Sequence, residues 1–311
     1  MPIDFHPNVP YVNNSSPKVS HQACINSKSL KEDVFVKSVN VDNASDYDGI
    51  KISKKSFGKI KKTGENATVY TITNKNGMSA DFSTFGATIT SIRVKDKNGK
   101  IIDVTQGYND VTPYETAPVG HAGGTIGPCA NKINNGEFII NGEKYTLECN
   151  KDNGKTHCHG GSDGFDVKNW KAKVLKDGVE FTYLKKDMEA GYPGNVEVKV
   201  TYKLDNNNKL HIKYDAKTDK DTLLNLTNHT YFNLDGAENA GENSVLDHIV
   251  KLPNSSKITE NTSIAVPTGE FIKVDDTPFD FRESKKIGDV INLEHEQLKI
   301  GSGFDQNYCI D

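Results

Sequence analysis

No apolar stretch in this chain approaches the roughly 20 residues that a membrane-spanning helix needs, so a bilayer is not an expected partner. Basic excess is missing too. Lys and Arg number 38 against 42 Asp and Glu, and the resulting −4 is spread along the chain, which excludes a broad positive surface for nucleic acid. Cysteines are few and irregular: Cys24, Cys129, Cys149, Cys158 and Cys309 form an odd set with no CxxC spacing, against a disulfide framework and for a reducing compartment. The N-terminus MPIDFHPNVPYVNNSSPKV has no charged region followed by an apolar one, so no cleavable secretory signal is expected. Cytoplasmic placement is the default, with export through the N-terminal extension kept as the alternative. Segments of helical period are nearly absent, as are a GxSxG elbow, a GxGxxG fingerprint and a GxxxxGK loop, which argues against a serine hydrolase and against nucleotide phosphates.

What remains is β texture. Residues 1–56 are rich in Asn, Ser, Asp and Lys with no sustained period, and are expected to form a flexible extension. After that point short alternating runs recur about every ten residues, separated by turn signals such as NKNG at 74–77, DKNG at 96–99 and Asn141-Gly142. Residues 57–311 are expected to form one all-β domain, a large antiparallel β-sandwich.

Polar residues inside this texture mark the sites. NLTNHTYFNL at 225–234 reads as a strand that sets His229 among Asn225, Asn228 and Asn233, residues that an ordinary core strand avoids. Either these side chains satisfy one another and the backbone, or they line a wet pocket for a hydroxyl-rich ligand. In THCHGGSDGFD, alternation on a strand sends His157 and His159 to one face, a pair that invites a metal. No third ligand at a regular spacing supports it, so no metal is expected. Gly160 and Gly161 permit a sharp turn or a close approach of backbone beside His159. Near the C-terminal end, GSGFDQNYCID places Asp305 beside Gln306 and Asn307, either as an acceptor for a ligand's hydroxyls or as ordinary turn chemistry.

Taken in order, FGATITSIRVKDKNGK, IGPCANKINNGEF, HCHGGSDGFD, EAGYPGNVEVKVTY, LTNHTYFNL, VPTGEF, TPFDFR and GFDQNY resemble one family, the aldose 1-epimerases or galactose mutarotases. The resemblance covers about residues 57–311, and the combination of elements is far more specific than any one of them. It implies the family's large sandwich, a hexose substrate, no cofactor and no metal, in a monomer or homodimer. The implied reaction interconverts α and β anomers of sugars such as galactose and glucose by acid–base ring opening. A non-catalytic carbohydrate-binding protein on the same fold is the alternative.

By the family's motifs, His229 looks like the acid that protonates the ring oxygen, and His159 like a second histidine at the sugar ring. Asp305 matches an aspartate that bonds sugar hydroxyls, and Asn131 an asparagine of the pocket, with Asn228 and Asn233 expected alongside it. Lys132 stands where the family has arginine, which keeps the charge and loses the planar fork. The family's general base is a glutamate on strands beyond the GFDxN segment. The chain ends at Asp311, so this base and the last strands are expected to be missing, and Glu270, Glu294 and Glu296, read as loop residues, do not match its motif.

Overall fold

Asn-Gly pairs close the hairpins from which the sheets are built. The computed structural model describes residues 24–25, 45–116, 120–239 and 245–310. Six strands, Ser45–Tyr47, Ile50–Lys59, Asn66–Thr73, Ser79–Ser83, Thr88–Lys95 and Ile101–Asp103, pair antiparallel in chain order. Gly77 and Gly99 end the NKNG and DKNG turns with φ of 85° and 82°, and each donates its N–H to the first residue of its turn, Asn74 or Asp96, at 3.1 Å. Asn141 and Gly142, both at positive φ, join Glu137–Ile140 to Glu143–Thr146 as the sequence leads one to expect.

A second antiparallel sheet contains Lys171–Val174, Gly178–Lys185, Val196–Leu204 and Leu210–Thr218, again in chain order. On the third of these strands Val196, Val198, Val200 and Tyr202 are wholly buried, and they meet Ile52, Ile72, Ala80, Phe82 and Ile89 of the first sheet in one core. Each such side chain contributes about 1.5–3 kcal/mol by leaving water. Phe82 and Tyr202 stack with ring centres 4.5 Å apart, while the Tyr202 hydroxyl donates to Ala87 O at 2.7 Å and so is not buried unpaired. The all-β sandwich is therefore the architecture of the chain.

A smaller three-stranded sheet, ordered Pro267–Lys273, Lys257–Asn261, Tyr308–Cys309, carries the C-terminal motifs. Ile258, Val274, Phe279 and Leu298 form its core, against which Phe304 packs, so the aromatics of TPFDFR and GFDQNY anchor the turn bearing Asp305.

Two expectations need correction. The boundary placed after residue 56 falls inside the strand Ile50–Lys59, where Ile50 and Ile52 are 4% and 3% exposed while Lys51, Ser53, Lys54 and Lys55 face water. Two apolar residues in a run of lysines and serines are too short a pattern to read as a strand, yet enough to anchor one against a sheet. Of the remaining extension, Cys24–Ile25 pairs with Thr222–Leu223 and the rest lies outside the described residues. Glu270 sits in a strand and Glu296 opens the short helix Glu296–Gly301, rather than lying in loops.

Candidate active site

His229 is carried by less strand than its sequence suggests. Within 225–234 only Thr227–Asn228 forms a strand, paired with Thr125–Ile126, and beyond it Gly123 N–H donates to His229 O at 2.9 Å, His229 N–H to Gly124 O at 3.0 Å, Gln106 N–H to Tyr231 O at 3.0 Å and Asn233 N–H to Val104 O at 2.9 Å. Gly123 has φ of 69°, and a Cβ there would lie 1.9 Å from Ile89 O, so only glycine lets this segment pack against the strand Thr88–Lys95. The Asn228 amide donates to Gly123 O at 2.9 Å, and its oxygen accepts from the Thr230 N–H at 3.1 Å and hydroxyl at 2.5 Å. Asn233 is 1% exposed and its oxygen accepts the Asp235 N–H at 3.1 Å. The Asn228 amide thus braces the backbone that presents His229, and the Asn233 oxygen braces the turn that follows it.

His159 and His157 do not share a face. The strand ends at Cys158, and His159 turns out of it at φ of 56°, while His157 is fully buried with Nδ1 2.7 Å from Glu148 O and Nε2 2.8 Å from Tyr192 Oη. His157 is a satisfied core histidine. Gly160 follows at φ of 88°, where a Cβ would lie 2.1 Å from Gly127 O, so the glycines after His159 do permit a close backbone approach. Asn131, itself at φ of 64°, donates its N–H to His159 Nδ1 at 3.1 Å, which leaves Nε2 to carry the proton of the neutral ring. Burial, reinforced by the neighbouring His121 and His229 rings, pushes the His159 pKa down to about 3. His159 is therefore a neutral Nε2–H donor in ordinary buffer.

Three imidazoles come together here, and one of them has no place in the sequence reading. The rings of His159 and His229 are 5.2 Å apart, and His121 lies 4.8 Å from the first and 5.8 Å from the second. His121 is held by Asp166, whose Oδ2 is 2.6 Å from its Nδ1. Its only signal in the sequence was a histidine among glycines in VGHAGG, and Asp166 stood unremarked at the end of the HCHGGSDGFD motif. Burial lowers the His229 pKa and the neighbouring His121 ring adds to this, while a backbone hydrogen bond, Asp166 and Asp305 act in the opposite direction. Partial desolvation raises the Asp305 carboxyl, against the pull of Lys132 and His229. That coupling places Asp305 in the electrostatic field of both His229 and Lys132. Lys132 spends two of its donors locally, on Ile264 O at 2.6 Å and on Asp152 at 2.9 Å. The Tyr231 ring, 5.0 Å from that of His229, adds an apolar wall.

Among the described residues no group of three or more His, Cys, Asp or Glu side chains is arranged to hold a metal ion. A cavity of about 20 Å³ lined by Thr88, Tyr114, His121, Ala122, Gly124 and Asp166 has room for a water and not for a larger ligand.

The model of the family described as aldose 1-epimerase matches residues 68–311. The chain belongs to the aldose 1-epimerase family. Galactose mutarotase of Bos taurus is 37% identical over 234 residues, 75% of this chain and 64% of that protein. Aldose 1-epimerase of Haemophilus influenzae is 36% identical over 243 residues, 78% of this chain and 68% of that protein. The chain thus spans a little under two thirds of the length of the bovine relative. A solved galactose 1-epimerase from Lactobacillus acidophilus superposes with a TM-score of 0.72 at 27% identity, covering 84% of this chain and 74% of that one. An aldose epimerase homologue from C. elegans gives 0.62 at 33% identity, over 68% and 63% of the two chains. As a member of this epimerase family the chain shares the mutarotase sandwich.

Proposed function

We propose that the chain is an aldose 1-epimerase that interconverts the α and β anomers of free hexoses such as galactose and glucose. The observation that carries this reading is the cluster of three partly buried imidazoles beside Asp305, in a chain of this family. Anomer exchange needs a base at the O1 hydroxyl and an acid at the ring oxygen O5, so that the C1–O5 bond opens, C1 turns about C1–C2, and closure occurs from the other face. His229 takes the acid role, because an imidazole can both give the proton to O5 and reclaim it on closure. His159, kept neutral with Nε2–H outward, donates a hydrogen bond to a sugar oxygen without competing for the proton. Asp305 and the Asn131 side chain accept from and donate to hydroxyls, and Lys132 supplies a cation nearby. Phosphorylated sugars are disfavoured because no cluster of arginines lies here. Cytoplasmic placement belongs to the same proposal, supported by the free thiols of Cys129, Cys149 and Cys158.

Polarimetry of freshly dissolved α-galactose tests the reading. Mutarotation is expected to run faster with the protein than in buffer, and His229→Ala is expected to lower kcat by about 10²–10⁴-fold. A wild-type rate equal to that of buffer refutes it, and calorimetric binding of galactose without acceleration shows a sugar-binding protein instead.

A further inference from the structure

We propose that Gln306, backed by Gln297, is the positioning residue that sets where the Asp305 carboxylate meets a sugar. The inference rests on the reading above, in which Asp305 bonds sugar hydroxyls, and gives a task to two buried amides that this reading leaves unused.

Asp305 is fixed through its backbone and not through its side chain. Among the described residues none donates a hydrogen bond to the carboxylate, so its acceptor sites remain for a ligand. Its N–H donates to Gln306 Oε1 at 3.1 Å. The Gln306 Nε2 donates in turn to Gln297 O at 2.7 Å, and the Gln297 side chain clamps the backbone of Asn261, its Oε1 accepting the Asn261 N–H at 3.0 Å and its Nε2 donating to Asn261 O at 2.9 Å. Gln306, Gln297 and Asn261 are 7%, 4% and 7% exposed. Out of water an amide that loses its partner stays unsatisfied, so each bond holds the next in place. The residue before Asp305 supplies an apolar anchor: the Phe304 ring lies 5.4 Å from that of Phe279 and 5.2 Å from that of Phe281. A Cβ on Gly301 would lie 2.9 Å from Asp305 Cβ, so the end of the helix Glu296–Gly301 blocks movement to that side.

This chain of amide bonds leads to the strands that carry His159. Asn261 ends the strand Lys257–Asn261, and the turn after it, closed by the Thr262 N–H on Val266 O at 2.8 Å, offers Ile264 O to Lys132 Nζ at 2.6 Å. Lys132 opens the strand that pairs with Thr156–Cys158, directly before His159. Bracing the small sheet alone needs only the Gln297 clamp on Asn261. Gln306 does more, since its oxygen reaches back to the N–H of the residue that meets the sugar.

The test is polarimetry with galactose on wild type, Gln306→Met, Asp305→Ala and the double variant, with a cooperative melt on each. Gln306→Met keeps the volume and removes the amide bonds to Asp305 and Gln297. It is expected to raise KM about three- to tenfold with kcat little changed, the size of a neutral hydrogen bond lost, and to add nothing to the KM of Asp305→Ala. A residue that only braces the fold would weaken both backgrounds alike or lower kcat. Additivity in the double variant therefore overturns the role, as does a folded Gln306→Met with wild-type KM. If the wild-type chain binds galactose in calorimetry without accelerating mutarotation, the epimerase reading falls and the same cycle is read in Kd; absence of binding overturns both. Should Gln306→Met fail to melt cooperatively, hydrogen exchange of the Asp305 amide in the wild-type chain decides: slow exchange is expected, and exchange as fast as that of an unprotected turn amide overturns the role.

Discussion

At the scale of single residues, burial and the charges around each ring decide what each histidine can do. His159 is neutral because burial and two neighbouring imidazoles oppose its charge, and His157 and His229 are shifted the same way. The consequence for stability has a definite sign. The unfolded chain binds protons on these rings below about pH 6.5, while folded His159 does so only near pH 3. Unfolding therefore takes up protons between those values, and stability is lost as pH falls through that window. The melting temperature should drop steadily from pH 7 toward pH 4, with a shallower slope in His159→Gln; a slope unchanged in that variant would show that the ring is not held neutral. Asp305 makes a second prediction. If its carboxylate accepts from sugar hydroxyls, a charged hydrogen bond of about 1.5–3 kcal/mol is at stake, and Asp305→Ala should raise KM roughly tenfold or more with kcat less affected. Their compact motifs made His159, His229 and Asp305 legible as candidates in the sequence, and the structure brings the first two rings together. The inward turn of Asn228 and Asn233 was not, because an amide that satisfies backbone and an amide that satisfies a ligand look alike until the partners are placed.

At the scale of elements, the site is built where strands stop. His159 follows the last residue of Thr156–Cys158, Asn131 precedes Lys132–Asn134, and those two strands pair, so the hydrogen bond from Asn131 to His159 is set by their register. The glycine after His159 makes that ending possible. Gly160→Ala puts a Cβ against Gly127 O at a left-handed φ, and the conformation alone costs about 1–3 kcal/mol. A lowered denaturation midpoint together with reduced sugar binding is expected, because the same shift carries the His159 ring away from its partners; a variant as stable as wild type would show that the backbone yields without cost. Periodicity led His157 and His159 to be placed on one face, and the rule failed at one residue of positive φ. Alternation holds only while backbone stays extended, and nothing in the pattern of THCHGG says at which residue it ceases.

At the scale of the whole molecule, a separate small core anchors the turn that bears Asp305, while the main core lies between a six-stranded and a four-stranded sheet. Its outer strand begins before the expected domain start, which makes a further prediction. A chain begun at Phe57 loses Ile50 and Ile52 from that core and bares the edge of Asn66–Thr73, whereas one begun at residue 45 keeps both. The shorter chain should unfold at lower denaturant and aggregate, as read by a denaturation midpoint and light scattering; equal midpoints would show the strand to be dispensable. By itself the sequence determined the all-β class, the Asn-Gly hairpins and the order of the motifs, since these depend on residues a few positions apart. The pairing of His121 with Asp166, 45 residues away, and the closing of both onto the His229 segment were decided by tertiary structure alone. Such contacts depend on which strands lie side by side and in what register, and on bends at positive φ, and these are settled by the packing of the entire sandwich rather than by any local run of residues.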